Sequence, residues 1–216
     1  MGPAFRVKRI PRLHLVTDDD VLARPGIVSM MKTVLEAGGA DVALHVRGPS
    51  TNGHEIHELV TKMRPITDAT GGSLFLNDRL DVALTAGADG VHLGQRSLPV
   101  HVVRRLVGYD LAVGASVHDE RESTIAEEEG ADYAFVGTLF MTPSHDRIDP
   151  AGLSLVSSVR SVVREMPLVG IGGITPERVG MVLSAGAKGV AVMRGVWNAE
   201  NPGEAVQVYL SELKGG

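Results

Sequence analysis

A (β/α)8 barrel is the fold predicted by this sequence of 216 residues, and three observations predict it. One short phrase recurs as Gly39-Ala40-Asp41-Val42, Gly87-Ala88-Asp89-Gly90-Val91, Gly130-Ala131-Asp132-Tyr133 and Gly186-Ala187-Lys188-Gly189-Val190. The copies lie roughly 50 residues apart, about twice the length of a strand-helix unit with its loops. Each copy closes a helix-like stretch on glycine, which takes the left-handed helix-ending conformation, and then opens an apolar run suited to a buried parallel strand. The segments between copies hold a further β-rich run and a further helical pattern, which argues against a solenoid and implies eight strands. The last unit is complete and no dinucleotide fingerprint follows the first strand, so a doubly wound open sheet is the lesser alternative.

The elements follow in order. Leu13 to Thr17 is the first strand, with the amphipathic stretch Ile27 to Ala37 behind it. Asp41 to Arg47 opens on the first copy of the phrase and leads to the helix His54 to Thr67. Ser73 to Asn77 is the intervening β-rich run, followed by Arg79 to Thr85. Gly90 to Leu93 opens on the second copy and precedes Val100 to Val107; Leu111 to Gly114 precedes Glu120 to Glu129. Tyr133 to Gly137 opens on the third copy and leads to Leu155 to Glu165. Leu168 to Ile171 runs into Pro176 to Ser184, where Thr175 or a neighbour caps the helix and proline takes the first turn. Gly189 to Met193 opens on the fourth copy, and Gly203 to Leu213 is the last helix. Strands alternating with helices make parallel βαβ units, and eight of them give a barrel at the small end of its size range.

Composition limits the partners. A hydrophobic content of 44% supports one substantial core, hence one domain over residues 1–216. Zero cysteines exclude disulfides and thiolate metal sites and fit a cytoplasmic enzyme. The mildly basic start, Met1 to Pro11, has no apolar core like a signal peptide, and Arg6 stands where myristoylation wants Ser or Thr. No stretch is long enough to span a bilayer. A net charge of −5 with scattered cations argues against a nucleic-acid surface, so a phosphate on the ligand must be held locally.

Barrel chemistry sits beyond the carboxyl ends of the strands. Strand by strand, that rule selects Asp18; His45 and Arg47; Asn77 and Asp78; His92, Gly94 and Gln95; Ser116 and His118; Gly137, Thr138 and His145; Gly172 and Gly173; Arg194 and Gly195. Gly170-Ile171-Gly172-Gly173-Ile174-Thr175-Pro176-Glu177, together with Met193-Arg194-Gly195, forms the clearest signal. Glycines admit close approach of a ligand, amides at a helix start favour an anion, and the loops after strands seven and eight commonly hold phosphate. The plainer reading is that these glycines only make tight turns.

His118 projects from a loop after the fifth strand, which on this reading ends just before Ser116, and imidazole gives and takes a proton near neutrality. Taken alone, a histidine after a strand is more often a cap or a surface residue. His54 and His57 lie on a helix at spacing three, not the metalloprotease spacing, and read as a solvated face, as does His101. His14 reads as a core residue or one just below the site, and His92 could face either way. Trp197 packs the last helix, and Glu127 to Glu129 is a wet helix end.

The stretches Leu15-Val16-Thr17-Asp18, Asn77-Asp78-Arg79-Leu80-Asp81-Val82-Ala83-Leu84, Gly87-Ala88-Asp89-Gly90-Val91-His92-Leu93-Gly94-Gln95, Gly130-Ala131-Asp132-Tyr133 and Gly170-Ile171-Gly172-Gly173-Ile174 resemble the thiamine phosphate synthase superfamily over nearly the whole chain. The resemblance implies a (β/α)8 barrel and one of two activities. The synthase joins a pyrimidine pyrophosphate to thiazole phosphate; the thiazole tautomerase (TenI-like) aromatises the carboxylated thiazole phosphate.

Charge points to the tautomerase branch. A synthase expels pyrophosphate, which calls for a divalent cation on carboxylates and for neighbouring lysines. The family's Gln-x-Arg-x-Lys becomes His45-Val46-Arg47-Gly48-Pro49 here; a second metal carboxylate becomes Ser97; and His145 stands near the place of a loop lysine. Asp78 remains. His45 with Arg47, the Gly114-Ala115-Ser116-Val117-His118 segment and Gly189 to Val196 resemble the tautomerase instead. That branch implies His118 as acid/base for a proton shift, without metal or cofactor. His45, Arg47, Asn77, Gln95, Ser116, Gly137 and Thr138 would then bind a carboxythiazole phosphate, with Arg47 pairing with its carboxylate. Gly172, Gly173, Arg194 and Gly195 would hold the phosphate. Some synthases also carry Ser-x-His, so His118 does not discriminate by itself. The expected function is therefore an isomerase, with the synthase and a non-catalytic thiazole-phosphate binder as alternatives. A homo-oligomer, and closure of the 138–152 loop as a lid, stay open.

Overall fold

The computed structural model describes residues 9–142 and 150–215. Eight parallel strands are hydrogen-bonded in chain order: β1 (Leu13–Val16), β2 (Val42–Val46), β3 (Ser73–Asn77), β4 (Gly90–Leu93), β5 (Ala112–Val117), β6 (Tyr133–Val136), β7 (Leu168–Ile171) and β8 (Gly189–Val192). Pairing of β8 with β1 closes them into the single (β/α)8 barrel that the sequence predicts. The helices are α1 (Asp19–Leu22), α2 (Ile27–Gly38), α3 (Gly53–Thr70), α4 (Leu80–Thr85), α5 (Val100–Val107), α6 (Glu120–Glu128), α7 (Gly152–Val162), α8 (Pro176–Ser184), α9 (Arg194–Trp197) and α10 (Pro202–Gly215). Among the described residues, no helix is long and apolar enough to cross a membrane. His145 and the rest of residues 143–149, within the 138–152 loop, lie outside the described residues.

One strand boundary and two short helices differ from the expectation. β5 runs past the expected Gly114 to Val117, because Ala115, Ser116 and Val117 go on pairing with Ala134, Phe135 and Val136 of β6. Ser116 is therefore a strand residue rather than part of a loop. The four-residue α1 and α9 sit inside loops, too short to show a helical period in sequence.

Alternation along each strand sorts the side chains. Leu13, Leu15, Leu44, Leu74, Leu76, Val91, Val113 and Val190 face outward and are fully buried under the helices. Inside lie Val16, Ala43, Phe75, Ala112, Tyr133, Phe135, Val169 and Ala191, with His14, His45 and His92 among them. Small residues make room for large ones: a Cβ on Gly90 would stand 2.2 Å from Phe75 and one on Gly114 2.1 Å from Tyr133. The interior is a filled core rather than a pore.

The recurring phrase has a structural job beyond ending helices. Asp89 accepts the Leu74 amide of β3 at 2.8 Å and the Arg64 guanidinium of α3 at 2.7 Å. Asp132 does the same with the Val113 amide of β5 at 2.7 Å and Arg104 of α5 at 2.6 Å. Asp41 pairs with Arg9. In the fourth copy, where Lys188 replaces aspartate, its backbone carbonyl accepts from Arg12 at 3.0 Å.

Candidate functional site

Strand ends β2 to β5 bring one group of polar residues to the mouth. Arg47 follows β2, its amide donating to Thr17 Oγ1 at 2.9 Å. Arg47 is partly buried, and among the described residues no hydrogen bond or ion pair holds its guanidinium. Asn77 ends β3. Asp78 comes next, with φ 62°, the one positive-φ non-glycine among the described residues. Its amide donates to the His92 carbonyl at 2.9 Å, and its Oδ1 accepts from the Gly94 amide at 2.9 Å and from the Ser97 hydroxyl. A left-handed backbone at a residue with a side chain costs energy and persists where its surroundings enforce it, as these three bonds do. Asp78 Oδ2 has no partner among the described residues.

Past β5, His118 is about half exposed and its Nδ1 lies 3.0 Å from Glu122 Oε2. The same carboxylate oxygen accepts from the His118 amide at 2.7 Å and from Gln95 Nε2 at 2.9 Å. Gln95 also donates to the Ser116 carbonyl at 3.1 Å. With Nδ1–H directed at Glu122, a neutral His118 keeps its lone pair on Nε2. Sequence reasoning missed Glu122. The signal was there: Asp119 caps α6 by accepting the Glu122 amide at 2.7 Å, so the Asp-x-x-Glu spacing marks Glu122 as the residue that reaches back over the helix start.

The second group surrounds β6, β7 and β8. The segment after β6, which begins with a cis Gly137–Thr138 peptide, runs onto the loop after β7: the Leu139 amide donates to Ile171 at 2.9 Å and the Phe140 amide to Gly172 at 3.1 Å. Gly172 and Gly173 have φ 102° and 64°, and a Cβ on Gly172 would lie 2.5 Å from the Thr138 side chain. Glycine is thus required here by backbone conformation and by the overlying segment. Arg178, also unforeseen, donates to the Gly173 carbonyl at 2.6 Å with its guanidinium 4.5 Å above the Phe140 ring. Arg194 and Gly195 are exposed at the start of α9. A Cβ on Gly195 would meet the Tyr209 hydroxyl at 2.2 Å, and that hydroxyl donates to the Ile174 carbonyl at 2.9 Å. No hydrogen bond among the described residues links this group to the first.

Beneath the mouth the three interior histidines are engaged with one another and with their neighbours. His45 is fully buried, so its expected place in direct contact with a ligand is not where the structure puts it. Its Nε2 lies 2.8 Å from His14 Nδ1 and its Nδ1 3.2 Å from the Asn77 carboxamide. His92 bridges Tyr133 at 3.2 Å and the Ser116 hydroxyl at 2.9 Å. Burial pushes the His14 and His92 rings well below the usual histidine value, assisted by neighbouring charges, and takes His45 down to about 3 against a weaker opposing bond from Asn77. Asp18, by contrast, is spent as the cap of α1, accepting the Val21 amide at 2.9 Å.

These rings fix a pH dependence. Unfolded, each titrates near pH 6.5, whereas folded it stays neutral far below that. The unfolded chain thus binds more protons on acidification, so stability is complete above about pH 6.5 and is lost as pH falls towards about 3, where folded His45 takes up its own proton. Each ring contributes a slope of up to about 1.4 kcal/mol per pH unit, so the three together approach about 4 kcal/mol per pH unit. Urea unfolding between about pH 5 and 6 reads that slope directly. A flat profile there would mean that the rings are charged or solvated in the native state.

A cavity of about 280 Å³ lies away from all of this, lined by residues such as Leu84, Ala88, Leu106 and Leu111 near the amino ends of β4 and β5. It holds none of the site residues.

Comparison with known proteins adds what the geometry leaves open. A family model described as thiamine monophosphate synthase matches residues 13–196. The chain is 36% identical over 203 residues to a thiamine-phosphate synthase of Alkaliphilus oremlandii (strain OhILAs), covering 94% of this chain and 95% of that protein. It is 41% identical over 185 residues to a thiamine-phosphate synthase of Methanoculleus marisnigri, covering 85% and 86%. A solved structure, thiamine phosphate pyrophosphorylase from Pyrococcus furiosus, superposes with a TM-score of 0.81 at 29% identity, covering 94% of this chain and 96% of the other.

These relatives overturn the expectation of a thiazole tautomerase, and with it the isomerase class: they are synthases, which are transferases. The error has a physical cause. Counting lost charges treated Ser97 as the removal of a metal site, yet magnesium is held by one or two carboxylates together with oxygens of the substrate's phosphates. Asp78, with Oδ2 unengaged, satisfies the smaller requirement, so the donor set present fits a cation brought in with a diphosphate.

Proposed function

Because the chain belongs to the thiamine monophosphate synthase family, we propose that it is a transferase joining a pyrimidine pyrophosphate to thiazole phosphate at the mouth of the barrel. A bond forms between thiazole and the carbon that carried the pyrophosphate, while the carbon–oxygen bond breaks and its electron pair leaves with the diphosphate. The observation that carries the reading is the likeness to synthases over 94% of the chain, combined with an Arg47 guanidinium and an Asp78 carboxylate oxygen that have no partner among the described residues at adjacent strand ends.

Each residue then has a task. Arg47 offers paired N–H donors to the departing diphosphate, whose charge grows as the bond breaks. Asp78 Oδ2 would hold a divalent cation, which supplies further neutralisation of that charge. The amides of Gly172 and Gly173, with Arg194 and Gly195 at the start of α9, hold the phosphate of the thiazole. Asn77, Gln95, Ser116, Gly137 and Thr138 contact the two ring systems. His118, held by Glu122, offers Nε2 at the rim as a hydrogen-bond partner rather than as a proton-transfer group, since this chemistry moves no ring proton. Both substrates are small phosphorylated heterocycles, in keeping with the cytoplasmic location expected from the sequence.

Purified protein incubated with both substrates and Mg²⁺ is expected to release pyrophosphate and thiamine phosphate in equal amounts, and chelation of the cation to stop it. If neither Mg²⁺ nor Mn²⁺ yields thiamine phosphate, the transferase reading is wrong.

A further inference from the structure

The partners of the buried imidazoles dictate where their protons sit. His14 Nε2 lies 2.9 Å from the Pro11 carbonyl, which can only accept, so that nitrogen carries hydrogen. Held neutral by burial, His14 then has a lone pair on Nδ1, and His45 Nε2 at 2.8 Å must be the donor to it. His45 is neutral for the same reason, which leaves a lone pair on its Nδ1, facing the Asn77 carboxamide. The carboxamide atom 3.2 Å away is Oδ1, another acceptor. Two acceptors do not bond, and a half-turn of the carboxamide exchanges its oxygen for its nitrogen with no change of shape.

We propose that His14, acting through His45, is a positioning residue that holds Asn77 with its NH2 inward and its oxygen presented at the end of β3, so that the mouth accepts an N–H from the ligand at that point. The line of bonds begins at a backbone carbonyl at the foot of the barrel and ends at the last residue of β3. Nothing in it has to move or change charge. His14 and His45 are fully buried, where an unmatched donor or acceptor is expensive, so the direction set at Pro11 is transmitted to the partly buried Asn77. The proposal rests on the transferase reading only in naming the ligand that feels it, the pyrimidine pyrophosphate.

The test reads tautomers directly. In full-length protein with ¹⁵N-labelled histidine, NMR at neutral pH should show His14 and His45 both as neutral Nε2–H rings. One Asn77 side-chain N–H should be displaced by its bond to imidazole. His14→Phe removes the acceptor for His45; the line should reverse, with His45 turning to the Nδ1–H form and the Asn77 signal returning to the ordinary carboxamide range. The KM for pyrimidine pyrophosphate should rise roughly fivefold to tenfold, the worth of one hydrogen bond, with kcat unchanged. His14→Gln can accept from His45 and donate to Pro11, and should restore both signals and KM. Either ring found as Nδ1–H or as a cation in the unaltered protein overturns the proposal, and that spectrum decides even if His14→Phe fails to fold. A His45 tautomer unchanged in folded His14→Phe overturns it equally. Because the spectra need no substrate, correct tautomers in a protein that makes no thiamine phosphate would sink the transferase reading alone.

Discussion

Replacing Arg47 by alanine is expected to lower kcat/KM for thiamine phosphate formation by about 10²- to 10³-fold, the scale of losing one preorganised donor to a developing charge. Proline at position 49 and serine at position 97 leave this guanidinium with little help. Among the described residues the guanidinium has no partner, so no structural bond there is lost with it. The folded protein should therefore keep its thermal stability while losing turnover. Arg47→Lys keeps the charge but not the planar fork, and should fall between the two. Steady-state kinetics with pyrimidine pyrophosphate as the varied substrate checks this; a change in kcat/KM below threefold would take Arg47 out of the reaction.

Asp89→Ala should have the largest effect on stability, about 3 to 5 kcal/mol, because it removes the buried carboxylate that a mostly buried Arg64 guanidinium and the Leu74 amide share, leaving Arg64 only the exposed Asp68 and a longer bond to the Gly87 carbonyl. For a chain of this size that lowers Tm by on the order of 10 °C. The contrast with Asp68 sharpens the test. Asp68 also pairs with Arg64, at 2.8 Å, but its side chain is 67% exposed, and Asp68→Ala should change stability by less than about 1 kcal/mol. Thermal melts of the two variants side by side decide it. Equal effects would mean that Arg64, rather than the seam between β3 and α3, is what matters.

Periodicity carried the fold because every parallel strand is buried on both faces and every copy of the glycine phrase falls at a helix-to-strand junction. Those are local, repeated demands on composition. The end of β5 escaped because Ser116, a polar residue, reads as a strand terminus, whereas it points inward to His92 and is satisfied there. The partners of the site were partly legible. Strand-end position singled out Asn77, Arg47 and His118, which the structure places at or just past the carboxyl ends of β3, β2 and β5. It could not separate His45, at the end of β2, from residues one step higher, because depth along a barrel axis depends on shear between strands, which no single segment encodes. Glu122 and Arg178 came from helix starts, one turn into α6 and α8, where the eye expects solvent. The choice between isomerase and transferase failed for a different reason: absent side chains were counted as absent chemistry, while part of that chemistry arrives with the substrate.

Tyr209 belongs to the last helix, yet its hydroxyl props up the carbonyl of Ile174 and fills the space that Gly195 leaves. During synthesis on the ribosome all eight strands are therefore made before the loop after β7 gains this brace. A nascent barrel lacking α10 has its walls but not the contact that fixes the Ile174 carbonyl beyond β7.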